Sequence, residues 1–137
     1  MKIGLDIHGV IDAYPDLFCR LTKQWHNDGH GIYILTGQER DKTEGYLIEH
    51  DIYFDYFFSI VDHHKSIGTH MYSRSDTQGL WMDGKLWSKS KGDYADYVGL
   101  DVHFDDQKEY AQYFPETCTF VIVPHIGFSM FMDKIMS

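Results

Sequence analysis

The fold is indicated most clearly by the stretch Ile3-Gly4-Leu5-Asp6-Ile7-His8-Gly9-Val10 near the start of the chain. A short apolar run precedes Asp6, and a glycine follows shortly after it, which predicts a buried strand that ends in a tight turn. In open parallel sheets, ligands bind at the carboxyl ends of the strands, so we expect the Asp6 carboxylate at such an edge. A carboxylate placed there can bind a metal ion or act as a covalent nucleophile.

The composition predicts one globular domain that spans residues 1–137, because 43% of the residues are hydrophobic and 16% are aromatic. The formal net charge of −9 argues against a nucleic-acid polymer or a membrane as partner, since basic patches carry the affinity for both. A small phosphorylated substrate stays compatible, because a local Mg²⁺ and one lysine can reverse the field at a site. The sequence has no secretory signal and no long apolar run, so we expect a cytoplasmic protein.

The two cysteines, Cys19 and Cys118, lie far apart and match no metal-binding spacing. Cys19 falls on the apolar face of a predicted helix, and Cys118 enters an apolar strand. We therefore interpret both as buried free thiols rather than as redox-active groups.

Predicted strands and helices alternate along the chain, which favours a parallel sheet covered on both faces. Apolar segments predict five strands, at residues 3–7, 32–35, the end of 53–61, 100–104 and 119–123. Helical spacing and start signals predict helices over residues 15–27, 39 to about 50, 93–98 and 107–114. The predicted fold class is α/β, with three Rossmann-like layers, a parallel five-stranded sheet and helices on both faces.

Residues 62–92 differ from the rest because they are polar and rich in histidine, serine, glycine and lysine. They contain Leu80-Trp81-Met82-Asp83-Gly84-Lys85-Leu86-Trp87, where Asp-Gly separates two apolar triplets, a pattern typical of a two-residue hairpin. We predict a small β-hairpin insertion at about 62–92 rather than a second domain. Trp81 and Trp87 are interpreted as the core of this hairpin, with stacking on a sugar or base as the alternative.

The C-terminal stretch Phe128-Ser129-Met130-Phe131-Met132 is apolar without a clear period. It could pack on the body of the domain, or it could join two copies of the chain in a homodimer. The sequence leaves both interpretations open.

Four polar features follow predicted strands or precede predicted helices: Asp6, Thr36-Gly37, Lys91 and Asp105-Asp106. Each has a simple explanation by itself, since an aspartate or threonine often caps a turn or helix and a lysine is often solvated. The adjacent pair Asp105-Asp106 is harder to explain in this way, because neighbouring carboxylates repel unless a cation or water relieves them. Their common position at one edge of the predicted sheet favours a shared site.

The order of these features resembles the four motifs of the haloacid-dehalogenase-like (HAD) phosphohydrolases, and the resemblance covers residues 3–124. It implies that Asp6 is a nucleophile that forms an aspartyl-phosphate. It implies that Thr36, with Gly37, binds phosphoryl oxygens. It also implies that Lys91 neutralises phosphate and nucleophile, with Lys89 as a possible substitute.

The same resemblance implies a Mg²⁺ site made of Asp6, the backbone carbonyl of His8, and the pair Asp105-Asp106, with Asp106 the more direct ligand of the two. Phosphoryl transfer places negative charge on oxygens that would repel a carboxylate nucleophile, and a cation removes that repulsion. Mg²⁺ is therefore the expected cofactor, and a phosphate monoester is the expected substrate.

His8 departs from the family pattern, in which an aspartate two residues after the nucleophile acts as general acid and base. Imidazole can do this work near neutral pH, so His8 is a candidate catalytic residue. The alternatives are a slow or altered reaction, or a catalytically inactive phosphate-binding or scaffold protein. Between Asp6 and Thr36 the chain has room for one loop and one helix, which resembles the capless or minimally capped members with open sites.

Other site types match the sequence less well. A receiver domain would place its paired acids after the first strand, whereas Asp105-Asp106 follow the fourth predicted strand. A dinucleotide-binding protein would need a Gly-x-Gly-x-x-Gly turn, which the sequence lacks. Asp62-His63-His64 and His70 have no evident fourth zinc ligand, so we interpret them as surface polar residues.

Overall fold

A computed structural model of the chain describes residues 1–73 and 80–124. Its helices and strands, in chain order, are β1 (Lys2–Leu5), α1 (Pro15–Asn27), β2 (Gly31–Thr36), α2 (Arg40–Glu49), β3 (Tyr56–Ser59), α3 (Ile60–Ser66), β4 (Tyr72–Ser73), β5 (Leu80–Trp81), α4 (Gly84–Val98), β6 (Val102–Asp105) and β7 (Thr119–Ile122). A π-type turn covers Ile7–Ile11, and a 3-10 helix covers Lys108–Tyr113.

The principal sheet has five parallel strands in the order β3-β2-β1-β6-β7, flanked by helices, which confirms the predicted α/β class. Leu5 at the end of β1 is paired with Ile34 of β2 on one side and with Phe104 of β6 on the other. The chain builds outward from β1 to β3 and then returns to place β6 on the opposite side of β1. The carboxyl ends of β1 and β6 therefore form the point where the strand order reverses, which is the usual ligand position in such sheets.

Alternation along β2 divides the apolar interior into two cores, one on each face of the sheet. Ile32 and Ile34 join the core that includes residues of α1 and α2. Tyr33 and Leu35 join the core that includes residues of α3 and α4. Because both faces are covered, β2 is buried along nearly its whole length and its sequence is a continuous apolar run.

Several predicted boundaries hold because local signals mark them. Pro15 begins α1, where its missing N–H is not needed, and α1 ends before Asp28 and Gly29, whose φ is +87°. Gly99, with φ +74° and ψ 48°, ends α4 in the left-handed conformation that favours glycine. The strands predicted at 32–35 and 119–123 are also found, at Gly31–Thr36 and Thr119–Ile122.

The predicted hairpin turn at Asp83-Gly84 is wrong. Asp83 is instead the N-cap of α4, and its Oδ1 accepts hydrogen bonds from the backbone N–H groups of Lys85 (3.1 Å) and Leu86 (3.0 Å). The helix predicted at 93–98 therefore begins at Gly84, and Trp87 lies on α4 rather than in a hairpin. A two-stranded antiparallel sheet does occur in this part of the chain, formed by β4 and β5.

Two other predictions differ from the structure. The third strand ends at Ser59, whose hydroxyl accepts from the Asp62 N–H and so caps the start of α3, a helix that was not predicted. The helix predicted at 107–114 is a 3-10 helix.

The apolar tail at 128–132 lies outside the described residues. Among residues 1–73 and 80–124, no helix is long and apolar enough to cross a membrane.

Candidate active site

Asp6 leaves β1 and enters the π-type turn, which is held by buried apolar side chains. Ile7, Val10 and Ile11 are buried in the core beside α1, so the turn is packed against the interior of the domain. The Asp6 carboxylate accepts a hydrogen bond from the Ile7 N–H (2.9 Å) and is itself buried. A turn packed on the core therefore presents one carboxylate at the end of the central strand.

Gly9 allows this turn to approach the end of β6. Its φ is +81°, and a Cβ at this position would lie 2.1 Å from an Asp106 carboxylate oxygen. Any side chain here would displace Asp106 or strain the backbone. The glycine of the opening sequence stretch therefore brings the turn after β1 against the acids after β6.

Lys91 joins the two strand ends. Its side chain comes from the middle of α4 and is almost fully buried, with 3% of the residue exposed. Its Nζ donates a hydrogen bond to Oδ2 of Asp105 (2.9 Å) and lies 3.1 Å from Oδ1 of Asp6. Lys89, the alternative considered from the sequence, is more exposed, and its Nζ lies 3.8 Å from Oδ2 of Asp93.

Asp105 is held from several sides and is fully buried. Besides Lys91, the His103 ring Nε2 lies 2.9 Å from its Oδ2, and the Gln107 N–H donates to its Oδ1 (3.1 Å). The ring of His103 also stacks on Phe114. Asp105 thus positions Lys91, while its neighbour Asp106 is less buried and faces the cavity described below.

The electrostatics of this cluster leave unbalanced negative charge. Burial raises the pKa of Asp6 to about 7, and the nearby Asp105 adds to this, although Lys91 opposes it. Burial and the charge of Asp105 also raise the pKa of Asp106. Burial would raise the pKa of Asp105 too, but the hydrogen bond from His103 and the charge of Lys91 hold it below its ordinary value. Asp6 and Asp106 are therefore harder to ionise than an ordinary aspartate, and a metal cation would favour their ionised forms.

The carboxylates can share one ion. Asp6, Asp105 and Asp106 each offer an oxygen, and these oxygens lie within 4.8 Å of one another. Hard oxygen ligands suit Mg²⁺, and a bound cation would favour the ionised form of Asp6, whose pKa burial raises. Within the described residues, this is the one group of three or more metal-ligating side chains close enough to do so.

A cavity of about 180 Å³ opens over these groups. Its walls include the charged or titratable residues Asp6, His8, Lys91 and Asp106, together with Gly37, Gln38, Trp87 and Tyr110. The Thr36 side chain is buried, and its hydroxyl accepts a hydrogen bond from the Gln38 backbone nitrogen at 3.4 Å. Of the two residues predicted to bind phosphoryl oxygens, Thr36 and Gly37, only Gly37 lines this cavity, together with Gln38.

His8 lies at the exposed rim of the cavity, with 63% of its side chain accessible. Its Nδ1 is 2.9 Å from Oδ2 of Asp12, four residues later in the chain. The other Asp12 oxygen accepts a hydrogen bond from the Gly9 N–H (2.7 Å). The imidazole is thus attached to the turn that carries Asp6, not to the body of the domain.

The residues at the site that were not predicted as part of it include His103, Trp87 and Tyr110. His103 lies two residues before Asp105, so strand alternation alone places both on one face. Trp87 lies one helical turn before Lys91 on α4, and its Nε1 donates to the Tyr110 hydroxyl (3.1 Å). Lys91 Nζ is 5.2 Å from the centre of the Tyr110 ring. Only the first of these has a sequence signal, since the other two depend on how α4 packs against the 3-10 helix.

The remaining polar candidates lie elsewhere. His64 was predicted to lie on the surface but is buried. Its two ring nitrogens lie 2.8 Å from the hydroxyl oxygens of Thr69 and Ser90, respectively, which satisfies the buried ring. Asp62 accepts from the Arg40 N–H. Both cysteines are free, with Cys118 buried as predicted and Cys19 partly exposed.

Comparison of the chain with models of protein families finds no match, and comparisons with curated proteins and with solved structures find none either. We therefore infer a function from the residues of the site itself.

Proposed function

We propose that this protein is a Mg²⁺-dependent phosphohydrolase that cleaves a phosphate monoester through an aspartyl-phosphate on Asp6. The observation that carries the proposal is the position of Lys91, whose Nζ lies between the carboxylates of Asp6 and Asp105 beside an open cavity. A buried cation beside a buried carboxylate at a strand end is what a carboxylate nucleophile needs when it attacks an anionic ester. The resemblance to the HAD phosphohydrolases supports the same chemistry.

Each residue has a distinct task in this proposal. Asp6 attacks phosphorus, and the Lys91 ammonium reduces the repulsion between the nucleophile and the phosphoryl oxygens. Gly37 and Gln38 line the cavity where those oxygens would lie, with the Thr36 hydroxyl next to them. Asp105 does not face the cavity in this assignment but holds Lys91 in place.

The acids Asp6 and Asp106, with Asp105 adjacent and the His8 backbone carbonyl in the same turn, would hold Mg²⁺. When bound, Mg²⁺ supplies positive charge that favours the ionised form of Asp6 and neutralises the phosphoryl oxygens. The raised pKa values of Asp6 and Asp106 support this assignment, because they indicate carboxylates that gain from an additional cation.

The test measures phosphate release from a panel of phosphate monoesters, with Mg²⁺ and with EDTA. Wild type should release phosphate only with Mg²⁺, and Asp6→Asn should reduce the rate by at least about 10³-fold because an amide cannot form the acyl-phosphate. Asp28→Asn is the matched control, since Asp28 is an exposed aspartate that accepts from Gln24 at the far end of α1. Acid-quenched wild type should also carry phosphate that hydroxylamine removes.

Two results would overturn the proposal. Equal rates for wild type and Asp6→Asn would exclude Asp6 as nucleophile. Failure of wild type to turn over any ester, combined with Mg²⁺-dependent phosphate binding, would identify the protein as a catalytically inactive phosphate-binding protein instead.

A further inference from the structure

We propose that a second cavity, beside the active site, binds an aromatic ring in the alcohol part of the phosphate monoester. This inference rests on the proposed phosphohydrolase function and deepens it, because it names the substrate class as monoesters of alcohols that carry an aromatic ring. The observation behind it is that Trp81 and Trp87 both line this cavity, and that Trp87 also lines the cavity over Asp6 and Lys91.

The second cavity has the size and the walls of a site for an apolar group. Its volume is about 380 Å³, compared with about 180 Å³ for the cavity over Asp6. Sites for small molecules are concave spaces of about 300–1,000 Å³ with mainly apolar and aromatic walls. The apolar side chains here come from α3, from β5 and from the start of α4: Val61, Leu80, Trp81, Met82 and Trp87.

The two cavities share part of one wall. Gln38 and Trp87 line both of them. The Trp87 ring lies against the loop after β2, where a Cβ on Gly37 would be 2.6 Å from the ring carbon Cζ2. The Val61 N–H donates to the Gly37 carbonyl at 3.3 Å, which joins the same loop to α3. A ligand whose phosphoryl group lies over Asp6 therefore has the larger cavity directly next to it.

The direction of the reaction favours the alcohol part of the ester as the occupant. In a phosphoryl transfer the attacking and leaving oxygens are roughly in line with phosphorus, so the alcohol departs on the side away from Asp6. Asp6 and Asp106 line the smaller cavity and not the larger one. The phosphoryl group is therefore assigned to the acids and Lys91, and the rest of the ester to the apolar walls.

The side chains of the larger cavity favour a neutral aromatic ring over a charged group. Indole rings and the Met82 thioether both make favourable contacts with aromatic rings. The Glu39 carboxylate also lines this cavity, but it is already paired, since its Oε1 lies 3.5 Å from Nζ of Lys42 and 3.4 Å from Nζ of Lys65. Trp81 is 37% exposed, so a ring that packs on it would also remove apolar surface from water.

The kinetic test compares kcat/KM for phenethyl phosphate and ethyl phosphate, which share the same ethyl linkage to the ester oxygen and differ by the ring. Wild type should favour the phenethyl ester by about 10-fold or more. It should also favour it over cyclohexylethyl phosphate by about 3-fold, because a saturated ring does not stack on indole. Equal values for the phenethyl and ethyl esters, or a preference for the cyclohexyl ring, would overturn the inference.

Two variants locate the effect. Trp81→Ala should lower kcat/KM for phenethyl phosphate about 10-fold more than for ethyl phosphate, because Trp81 lines the larger cavity and not the one over Asp6. Tyr97→Ala is the matched control: Tyr97 lies on α4, is 87% exposed and lines neither cavity, so its loss should leave both values unchanged. Equal losses for both esters in Trp81→Ala would give Trp81 a structural role and overturn the inference.

A binding measurement needs no variant and no turnover. Phenethyl alcohol is added to the wild-type protein, and ¹H–¹⁵N NMR spectra follow the indole N–H signals. The signals of Trp81 and Trp87 should shift saturably, whereas that of Trp25, which stacks on Phe104 in the core beside α1, should not. Ethanol at the same concentration should shift none of the three.

Absence of saturable shifts at Trp81 and Trp87 would overturn this inference even if the enzyme is active. Absence of turnover with every ester would instead overturn the proposed function and the assignment of the ring to a leaving group. Saturable shifts in that case would still identify the cavity as a site for an aromatic ring.

Discussion

Lys91 shows how a single side chain can hold a charged site together. A buried ammonium is costly unless it is paired, and here burial lowers its pKa while Asp6 and Asp105 raise it to a net value above the ordinary one. Burial, with a smaller effect of Asp105, still leaves Asp6 with a raised pKa although Lys91 opposes it, so the cluster is balanced only in part. Lys91 therefore joins the buried acids of two strand ends, and in the proposed function it would also neutralise the phosphoryl oxygens.

Replacing Lys91 by methionine should destabilise the protein by about 3–5 kcal/mol at pH 8, because it leaves buried carboxylates without their cation. At pH 5 the loss should be smaller, since Asp6 can then take up a proton. Urea unfolding at both pH values measures the free energy of unfolding of wild type and of the variant. Lys89→Met is the control: its pair with Asp93 is exposed, and its removal should change stability by less than about 1 kcal/mol.

Equal unfolding midpoints for the two lysine variants would contradict the assignment of Lys91 as the buried cation. An equal loss at pH 5 and pH 8 would show that its partners do not respond to protonation.

At the scale of elements, α4 carries much of the site and is also where prediction failed. Its buried residues are Ser90, Lys91, Gly92 and Ala95, which give almost no hydrophobic period to detect. Asp83 was assigned to a hairpin because aspartate before glycine suits both a tight turn and a helix N-cap. Which of the two forms depends on whether the following residues have a surface to pack against, and here that surface is β2, β3 and the 3-10 helix.

The contact between α4 and the 3-10 helix can be tested at Gly92. A Cβ there would lie 2.1 Å from the Tyr113 carbonyl oxygen, so Gly92→Ala must push the two helices apart. We expect a loss of about 1–3 kcal/mol in the free energy of unfolding, and reduced turnover because Lys91 and Tyr110 would move. Thermal or urea unfolding measures the first effect.

Gly45→Ala on α2 is the matched control for that change. A Cβ at Gly45 would meet nothing within 4 Å, so alanine should stabilise the helix by about 0.5–1 kcal/mol. Stabilisation by both substitutions would mean that α4 and the 3-10 helix are not in close contact.

At the scale of the whole molecule, the acid cluster links stability to pH. The pKa of Asp6 is about 7 in the folded protein and has its ordinary value of 3.8 when unfolded, so between these values the folded state holds more protons. Without metal, Asp6 therefore lowers the free energy of unfolding as pH rises from about 4 to 7, by at most about 1.4 kcal/mol per pH unit. His64 and His103, whose pKa values burial lowers, act in the opposite direction below pH 6.5.

The contribution of Asp6 is isolated by subtracting the stability of Asp6→Asn from that of wild type at each pH, because both histidines are present in both proteins. The free energy of unfolding of wild type, minus that of Asp6→Asn, should fall as pH rises from about 4 to 7. Adding Mg²⁺ should restore wild type more at pH 8 than at pH 5 and should affect Asp6→Asn little. Parallel curves for the two proteins would show that the pKa of Asp6 is not raised.

The amino-acid sequence alone determined the elements whose signals are local. Pro15, Asp28-Gly29 and Gly99 mark helix ends, and the apolar runs at β2 and β7 could be assigned because buried strands need such runs. It also grouped Asp6, Lys91 and Asp105-Asp106, because the ends of parallel strands meet at one edge of a sheet. The role of these residues as an active site stays a prediction.

Only the tertiary structure decided which side chains reach the cavity. Gly37 and Gln38 line it while Thr36 is buried, and Trp87 and Tyr110 meet there from elements distant in sequence. The conformation of the turn likewise decided that Asp12, rather than the body of the domain, holds His8. These outcomes depend on packing between elements and on distances of a few ångströms, which residue spacing along the chain does not encode.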